Sequence, residues 1–131
     1  MDTMKEQAKT LLIEGNGFFK PLEQSLSRPS KFNNELLYQM SAMSFEKFMV
    51  ALLAHHNVNA EHHTPMALVN EAKNYETIPD SITETGKLIG KFESICSLSG
   101  FGYKMPDNDE LKQIIVGLVE VKQFVYGKIE V

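Results

Sequence analysis

The chain has 131 residues, of which 43% are hydrophobic and 23% charged, a balance that fits one globular domain over residues 1–131 and excludes a disordered chain. Its 13 Lys and Arg against 17 Asp and Glu give a net charge of −4, and Arg28 is the only arginine, so we expect no avid nucleic-acid binding. Because no apolar run approaches the roughly 18 to 20 residues that span a bilayer, and the N-terminus lacks the pattern of a signal peptide, we predict a cytoplasmic protein with no membrane partner.

The N-terminal segment predicts two short helices separated by glycines. Residues 3–14 carry an apolar side, and the sequence Gly15-Asn16-Gly17 is expected to end that helix, because each glycine in a helix costs about 1 kcal/mol. A second helix is expected over about residues 18–27, with Pro21 in its first turn.

Residues 32–57 predict one long central helix with neighbours on two sides, which Ser30 or Asn33 can cap. At about 100° per residue its apolar residues fall on two faces, leaving a narrow polar stripe of Glu35, Gln39 and Glu46. The first face carries Phe32, Leu36, Met40, Met43 and Val50, and the second carries Phe45, Phe48, Met49 and Leu52.

Three further helices are predicted in the second half of the chain. Thr64-Pro65 begins a short helix that runs to about residue 74, and Ile78-Pro79 begins one that runs to about residue 98. Asp107 is the expected cap of the last helix, and no segment shows the alternating pattern of a strand. The sequence therefore predicts an all-α, up-and-down bundle of about five helices. The apolar stripe of the last helix is Leu111, Ile114, Ile115, Leu118, Val121 and Val125.

Four short motifs follow one another between residues 34 and 125. They are Glu46-Lys47, His62-His63-Thr64 before the short helix, Ile78-Pro79, and a Tyr103 to Asp107 segment with Pro106. Their order resembles the HEPN family (higher eukaryotes and prokaryotes nucleotide-binding domains). The resemblance implies a helical bundle that binds a nucleotide-type ligand. HEPN ribonucleases have an Arg followed after four to six residues by a His, whereas no histidine follows Arg28 before His55, so ribonuclease chemistry is not implied.

The candidate ligand-binding residues are Lys47, Tyr103 and Lys104. Lys47 points toward the Met40 and Met43 side of the central helix, where a lysine either extends along the apolar surface or lines a cleft. Tyr103 and Lys104 follow the glycine-broken segment Gly100 to Gly102 and offer a stacking surface and a phosphate contact. The alternatives are a solvated face pair for Glu46-Lys47 and an exposed loop pair for Tyr103 and Lys104.

All the histidines, His55, His56, His62 and His63, lie close together in the sequence, which invites a metal site. Zinc sites usually use i,i+4 pairs or short Cys/His spacings, and neither occurs here. We therefore expect solvated histidines near a helix end, no metal and no cofactor. The lone Cys96 lies in an apolar series and is expected to be a core residue.

These patterns favour a non-catalytic HEPN-like binding module for a nucleotide-like or other anionic ligand, or for a partner protein. One alternative is an accessory subunit of an RNA-processing or nucleotidyltransferase (toxin–antitoxin type) system, and another is a structural homodimeric interaction protein. A homodimer is predicted because the apolar surface looks too broad for one small bundle. Gly86 and Gly90 lie four residues apart within a predicted helix and indicate either a close helix approach or a dimer contact. No catalytic residues are predicted.

Overall fold

The computed structural model describes residues 3–98 and 105–129, with side chains for residues 3–92 and 105–129. Within these residues the chain forms five helices and no strand, which confirms the all-α prediction. The helices are α1 (Met4–Ser25), α2 (Asn34–His55), α3 (Pro65–Ala72), α4 (Asp80–Leu98) and α5 (Asn108–Lys128).

The four long helices alternate in direction. Tyr38 of α2 donates a hydrogen bond to the carbonyl of Ile89 of α4 at 2.7 Å, while Phe45 lies against Gly86, so these helices are antiparallel. The first residues of α2 and α5 meet where Nδ2 of Asn34 donates a hydrogen bond to Oδ1 of Asn108 at 2.8 Å, so those two helices run in parallel. The bundle is therefore up-and-down, as predicted, and α2 contacts all the other helices.

The predicted break at Gly15 to Gly17 is wrong, because α1 continues through it as one helix. A Cβ atom on Gly15 would lie 2.9 Å from the Phe48 ring, so glycine is what permits α1 and α2 to approach so closely. The Ser44 hydroxyl also donates to the Gly15 carbonyl at 3.2 Å. Packing against α2 thus overrides the low helix propensity of glycine.

Pro21 is another difference, because it lies in the interior of α1 rather than in a first turn. Proline has no N–H, so the Gly17 carbonyl loses its usual helical donor. The buried Phe19 and Leu22 on either side hold this turn against the core. The separate second helix expected over residues 18–27 is therefore the last part of α1.

The helix starts follow the predicted capping residues. The Asn33 side chain accepts from the backbone N–H of Leu36 at 2.8 Å, and the Asp107 side chain accepts from that of Glu110 at 2.8 Å. The Asp107 N–H in turn donates to Oε1 of Glu110 at 3.1 Å, which completes a capping box. Because Asn33 is extended, α2 begins at residue 34 rather than residue 32.

The two apolar faces of α2 differ in burial. The face with Phe45 and Phe48 is fully buried, as expected for a central helix. On the other face Leu36 is 39% exposed and Met43 is 37% exposed, so the described residues cover that face only in part. The largest fully buried side chains of the core are Phe19, Phe45, Phe48 and Phe92.

Candidate functional site

A cleft of about 410 Å³ lies at the end of the bundle where α1 begins and where α2 and α5 end. We call it the lysine cleft. Lys5 and Lys9 are one helical turn apart on α1 and therefore share a face. The cleft is lined by Lys5, Lys9, His55, Gly127, Lys128 and Ile129.

Two of the cleft lysines have no counter-charge among the residues that the structure describes. Among the described residues, no carboxylate lies within ion-pair distance of Lys5 or Lys9. Elsewhere on the surface Lys87 lies 3.5 Å from Glu84, and Lys91 lies 3.8 Å from Glu110. The lysine cleft is therefore a local concentration of positive charge on a chain whose net charge is −4.

The carboxylate of Glu76 bridges two residues at the edge of this cleft. Its Oε2 atom lies 2.7 Å from Nε2 of His56, and its Oε1 atom lies 3.4 Å from Nζ of Lys128. Burial acts to raise the pKa of Glu76, but the hydrogen bonds from His56 and Lys128 outweigh it and hold that pKa below its ordinary value. Glu76 is therefore ionised at neutral pH and holds Lys128 in place beside the cleft.

Three rings continue from the cleft toward the segment between α3 and α4. The His55 ring meets the His56 ring edge-on at 5.4 Å, and the His56 ring stacks on Tyr75 at 5.6 Å. These contacts and the Glu76 bond fix the His56 ring. They also place His55, the last residue of α2, between the other rings and the lysines.

Burial changes the pKa of His55, whose ring lines the lysine cleft. Burial, followed by the proximity of His56 and Lys5, lowers the pKa of His55, while Glu76 acts in the opposite direction. At neutral pH the ring is therefore uncharged. A neutral imidazole both donates and accepts hydrogen bonds, so His55 adds polar contacts to the charge of the lysines.

Of the predicted ligand-binding residues, the structure describes Lys47 alone. Lys47 lies between α1 and α2, 26% exposed, with its Nζ atom 3.6 Å from Oε1 of Glu14, and it does not line the lysine cleft. Tyr103 and Lys104 lie outside the described residues. Ligand binding by these three residues stays a prediction.

The histidines lie in two places. His62 and His63 are exposed, as expected, and His63 lies 3.5 Å from Glu46. His55 and His56 differ from the expectation, because they are half-buried and packed against other rings. Within the described residues, no group of three or more His, Cys, Asp or Glu side chains is arranged to hold a metal ion.

A second cationic cleft, of about 310 Å³, lies at the opposite end of the bundle beside the loop from α1 to α2. Arg28 and Lys31 line it, together with Pro29 and Phe32. The Nζ atom of Lys31 lies 5.8 Å from the centre of the Phe32 ring, so its ammonium group makes a cation–π contact there. We call this the loop cleft, and it is the natural competitor of the lysine cleft for an anion.

Sequence reasoning missed the lysine cleft because its residues are distant in the sequence. Two signals were present: the i,i+4 pair of Lys5 and Lys9, and Lys128 in the last helical stretch. Because four long helices alternate in direction, the start of the first helix and the end of the last helix meet at one end of the bundle. Because His55 and His56 were interpreted as solvated side chains, the sequence pattern did not place His55 beside these lysines.

Comparisons with protein-family models, with curated proteins and with solved structures found no match to this chain. The resemblance to HEPN domains is therefore an expectation from the motif order alone. Across the described residues, none of the helices combines the length and the apolar character needed to cross a membrane.

Proposed function

We propose that this chain is a non-catalytic binding module that holds a small anionic ligand in the lysine cleft. The observation that carries the proposal is the placement of Lys5 and Lys9 in a cleft next to Lys128 and His55, with no carboxylate partner in residues 3–98 and 105–129. Because the protein is negative overall, anion binding needs such a local concentration of positive charge. A nucleotide-like ligand, as the family resemblance implies, belongs to this class.

The size and lining of the cleft also support binding of a small molecule. Small-molecule sites usually occupy about 300 to 1,000 Å³, and the lysine cleft falls within that range at about 410 Å³. The described part of its lining contains cations, an imidazole, Gly127 and the apolar Ile129, and no serine, cysteine or carboxylate. Such a lining can bind and orient an anion but offers few groups for turnover.

A charge-removing variant with a matched control tests the proposal. Pyrophosphate binding is measured by calorimetry at low salt for the parent protein, for Lys9→Gln and for Lys20→Gln. Lys20 is an exposed lysine of the same helix that does not line the cleft. We expect Lys9→Gln to weaken binding about tenfold, which corresponds to ~1.4 kcal/mol, and Lys20→Gln to leave it unchanged. Equal affinities for the two variants would contradict the proposal.

We also propose that the chain is a structural protein that forms a homodimer, because one apolar face of α2 is partly exposed. Leu36 and Met43 lie two turns apart on that face, and each exposes more than a third of its surface. Sedimentation analysis should show a dimer that Met43→Glu dissociates, while Val116→Glu, an exposed position on α5, does not. A monomer at all concentrations would exclude this role.

A further inference from the structure

The lysine cleft carries more positive charge than a singly charged ligand can neutralise. Lys5 and Lys9 have no described counter-charge, and Lys128 shares the Glu76 carboxylate with His56. We propose that the cleft binds a doubly charged oxyanion group of the phosphate or sulfate type, and that His55 takes up one proton when this group binds. The inference rests on the proposed function and names the ligand class and the pH dependence of the same site.

Charged and titratable groups approach His55 from every element around it. Lys5 and Lys9 belong to α1, His56 is the adjacent residue, Glu76 precedes α4, and Lys128 belongs to α5. Burial and the neighbouring cations disfavour a charged ring, and Glu76 acts in the opposite direction. A dianion in the cleft reverses this balance, because it places two negative charges beside the ring, among the lining cations Lys5, Lys9 and Lys128.

The proton that His55 takes up comes from solvent, and no covalent bond forms or breaks. Once protonated, the imidazolium adds a charge-assisted donor to the three ammonium groups. As the pH falls, the bound oxyanion therefore gains the protonated His55 ring as one more positively charged partner. The affinity for an anion whose own charge does not change should therefore rise by up to about tenfold per pH unit, the limit for uptake of one proton.

Gly127 gives a way to close the cleft without disturbing the core. A Cβ atom at this position would meet nothing within 4 Å, and the residue lines the cleft in the last turn of α5. The leucine side chain of Gly127→Leu should therefore fill the cleft while the helix remains intact. Gly17 on α1 is equally unobstructed and does not line the cleft, so Gly17→Leu is the matched control.

The test uses sulfate, which remains doubly charged between about pH 8 and pH 5.5, where histidine titrates. Sulfate affinity and the pKa of the His55 ring are both measured by NMR at constant ionic strength. We expect the parent protein and His63→Gln to bind more tightly as the pH falls, and sulfate to raise the pKa of His55. His55→Gln should bind at pH 8 but lose the pH dependence, and Gly127→Leu should bind weakly at every pH, unlike Gly17→Leu.

The outcomes separate this inference from the proposed function. Sulfate binding that is equally tight at every pH, with an unchanged His55 pKa, would overturn the proton uptake while leaving the anion site in place. Acetate that binds as tightly as sulfate would overturn the dianion class. If neither sulfate nor pyrophosphate bound at any pH, the proposed function itself would fail.

Phosphate groups occur on soluble molecules and on lipid headgroups, and competition distinguishes the two sources. Glycerol phosphate that displaces sulfate would support a soluble source. A lipid headgroup in the same cleft would be supported if the protein bound only to vesicles of phosphatidylcholine with phosphatidate, and if Gly127→Leu abolished that binding. If neither form competed with sulfate, the phosphate-type assignment would be overturned.

Discussion

The Nε2 atom of His56 lies 2.7 Å from Oε2 of Glu76, and this contact joins the end of α2 to the segment that precedes α4. The other carboxylate oxygen reaches Lys128 at the end of α5. One side chain thus ties three parts of the chain together beside the lysine cleft. The arrangement has consequences for stability as well as for binding.

Glu76→Gln should lower the free energy of unfolding at neutral pH by about 1 kcal/mol, because it removes the charge that His56 and Lys128 contact. The pKa of Glu76 is lowered in the folded protein, so its contribution is present above the unfolded pKa and is lost as the pH falls through the folded one. Urea unfolding should therefore show a steeper loss of stability below about pH 4.5 in the parent protein than in Glu76→Gln. Glu84→Gln, at an exposed carboxylate, is the control and should change stability little.

Gly15→Ala should destabilise the bundle by about 1 to 3 kcal/mol, since the added methyl group meets the Phe48 ring at the α1–α2 contact. Gly17→Ala should stabilise it by up to about 1 kcal/mol, because the same methyl group meets nothing there and alanine favours helix. Thermal unfolding of the two variants measures the difference. Equal shifts would show that α1 and α2 do not approach as closely as described.

Leu118→Asp should leave the chain unfolded or without fixed tertiary packing, because it puts an unpartnered carboxylate at a fully buried position of α5. Val116→Asp lies two residues earlier, where the side chain is 46% exposed, and should keep the parent circular dichroism spectrum. A folded Leu118→Asp protein, or a spectrum rich in sheet, would be incompatible with the bundle.

The melting temperature should not change when EDTA is added. A structural metal would contribute its binding energy to folding, so that a chelator would unfold the protein. His62 and His63 are exposed and lie apart from the packed pair of His55 and His56. A large decrease in melting temperature, together with stoichiometric zinc in the purified sample, would show that the histidines form a metal site.

Local sequence signals predicted the parts of the fold that depend on neighbouring residues. Asn33 and Asp107 cap α2 and α5 because a short polar side chain reaches an N–H three residues ahead. The continuity of α1 could not be predicted in the same way. Whether glycines at 15 and 17 break a helix depends on Phe48, which only the tertiary fold brings against Gly15.

The same distinction applies to the candidate site. Lys47 was predicted as a ligand residue from its helical position, but the pattern cannot show that Glu14 of another helix lies 3.6 Å away. The lysine cleft joins Lys5 to Lys128, which lie near opposite ends of the sequence. Helical periodicity shows which face a residue occupies, and only the packing of α1 against α5 shows which faces meet.

An NMR titration of the ¹⁵N-labelled protein with pyrophosphate tests most directly whether the lysine cleft is the anion site. The account predicts that the amide signals of Lys9, Gly127 and Lys128 shift most, and that Gly127→Leu suppresses these shifts while Gly17→Leu preserves them. The account would be contradicted if the largest shifts occurred at Arg28 and Lys31 of the loop cleft or around Lys47. A spectrum that pyrophosphate leaves unchanged would contradict it as well.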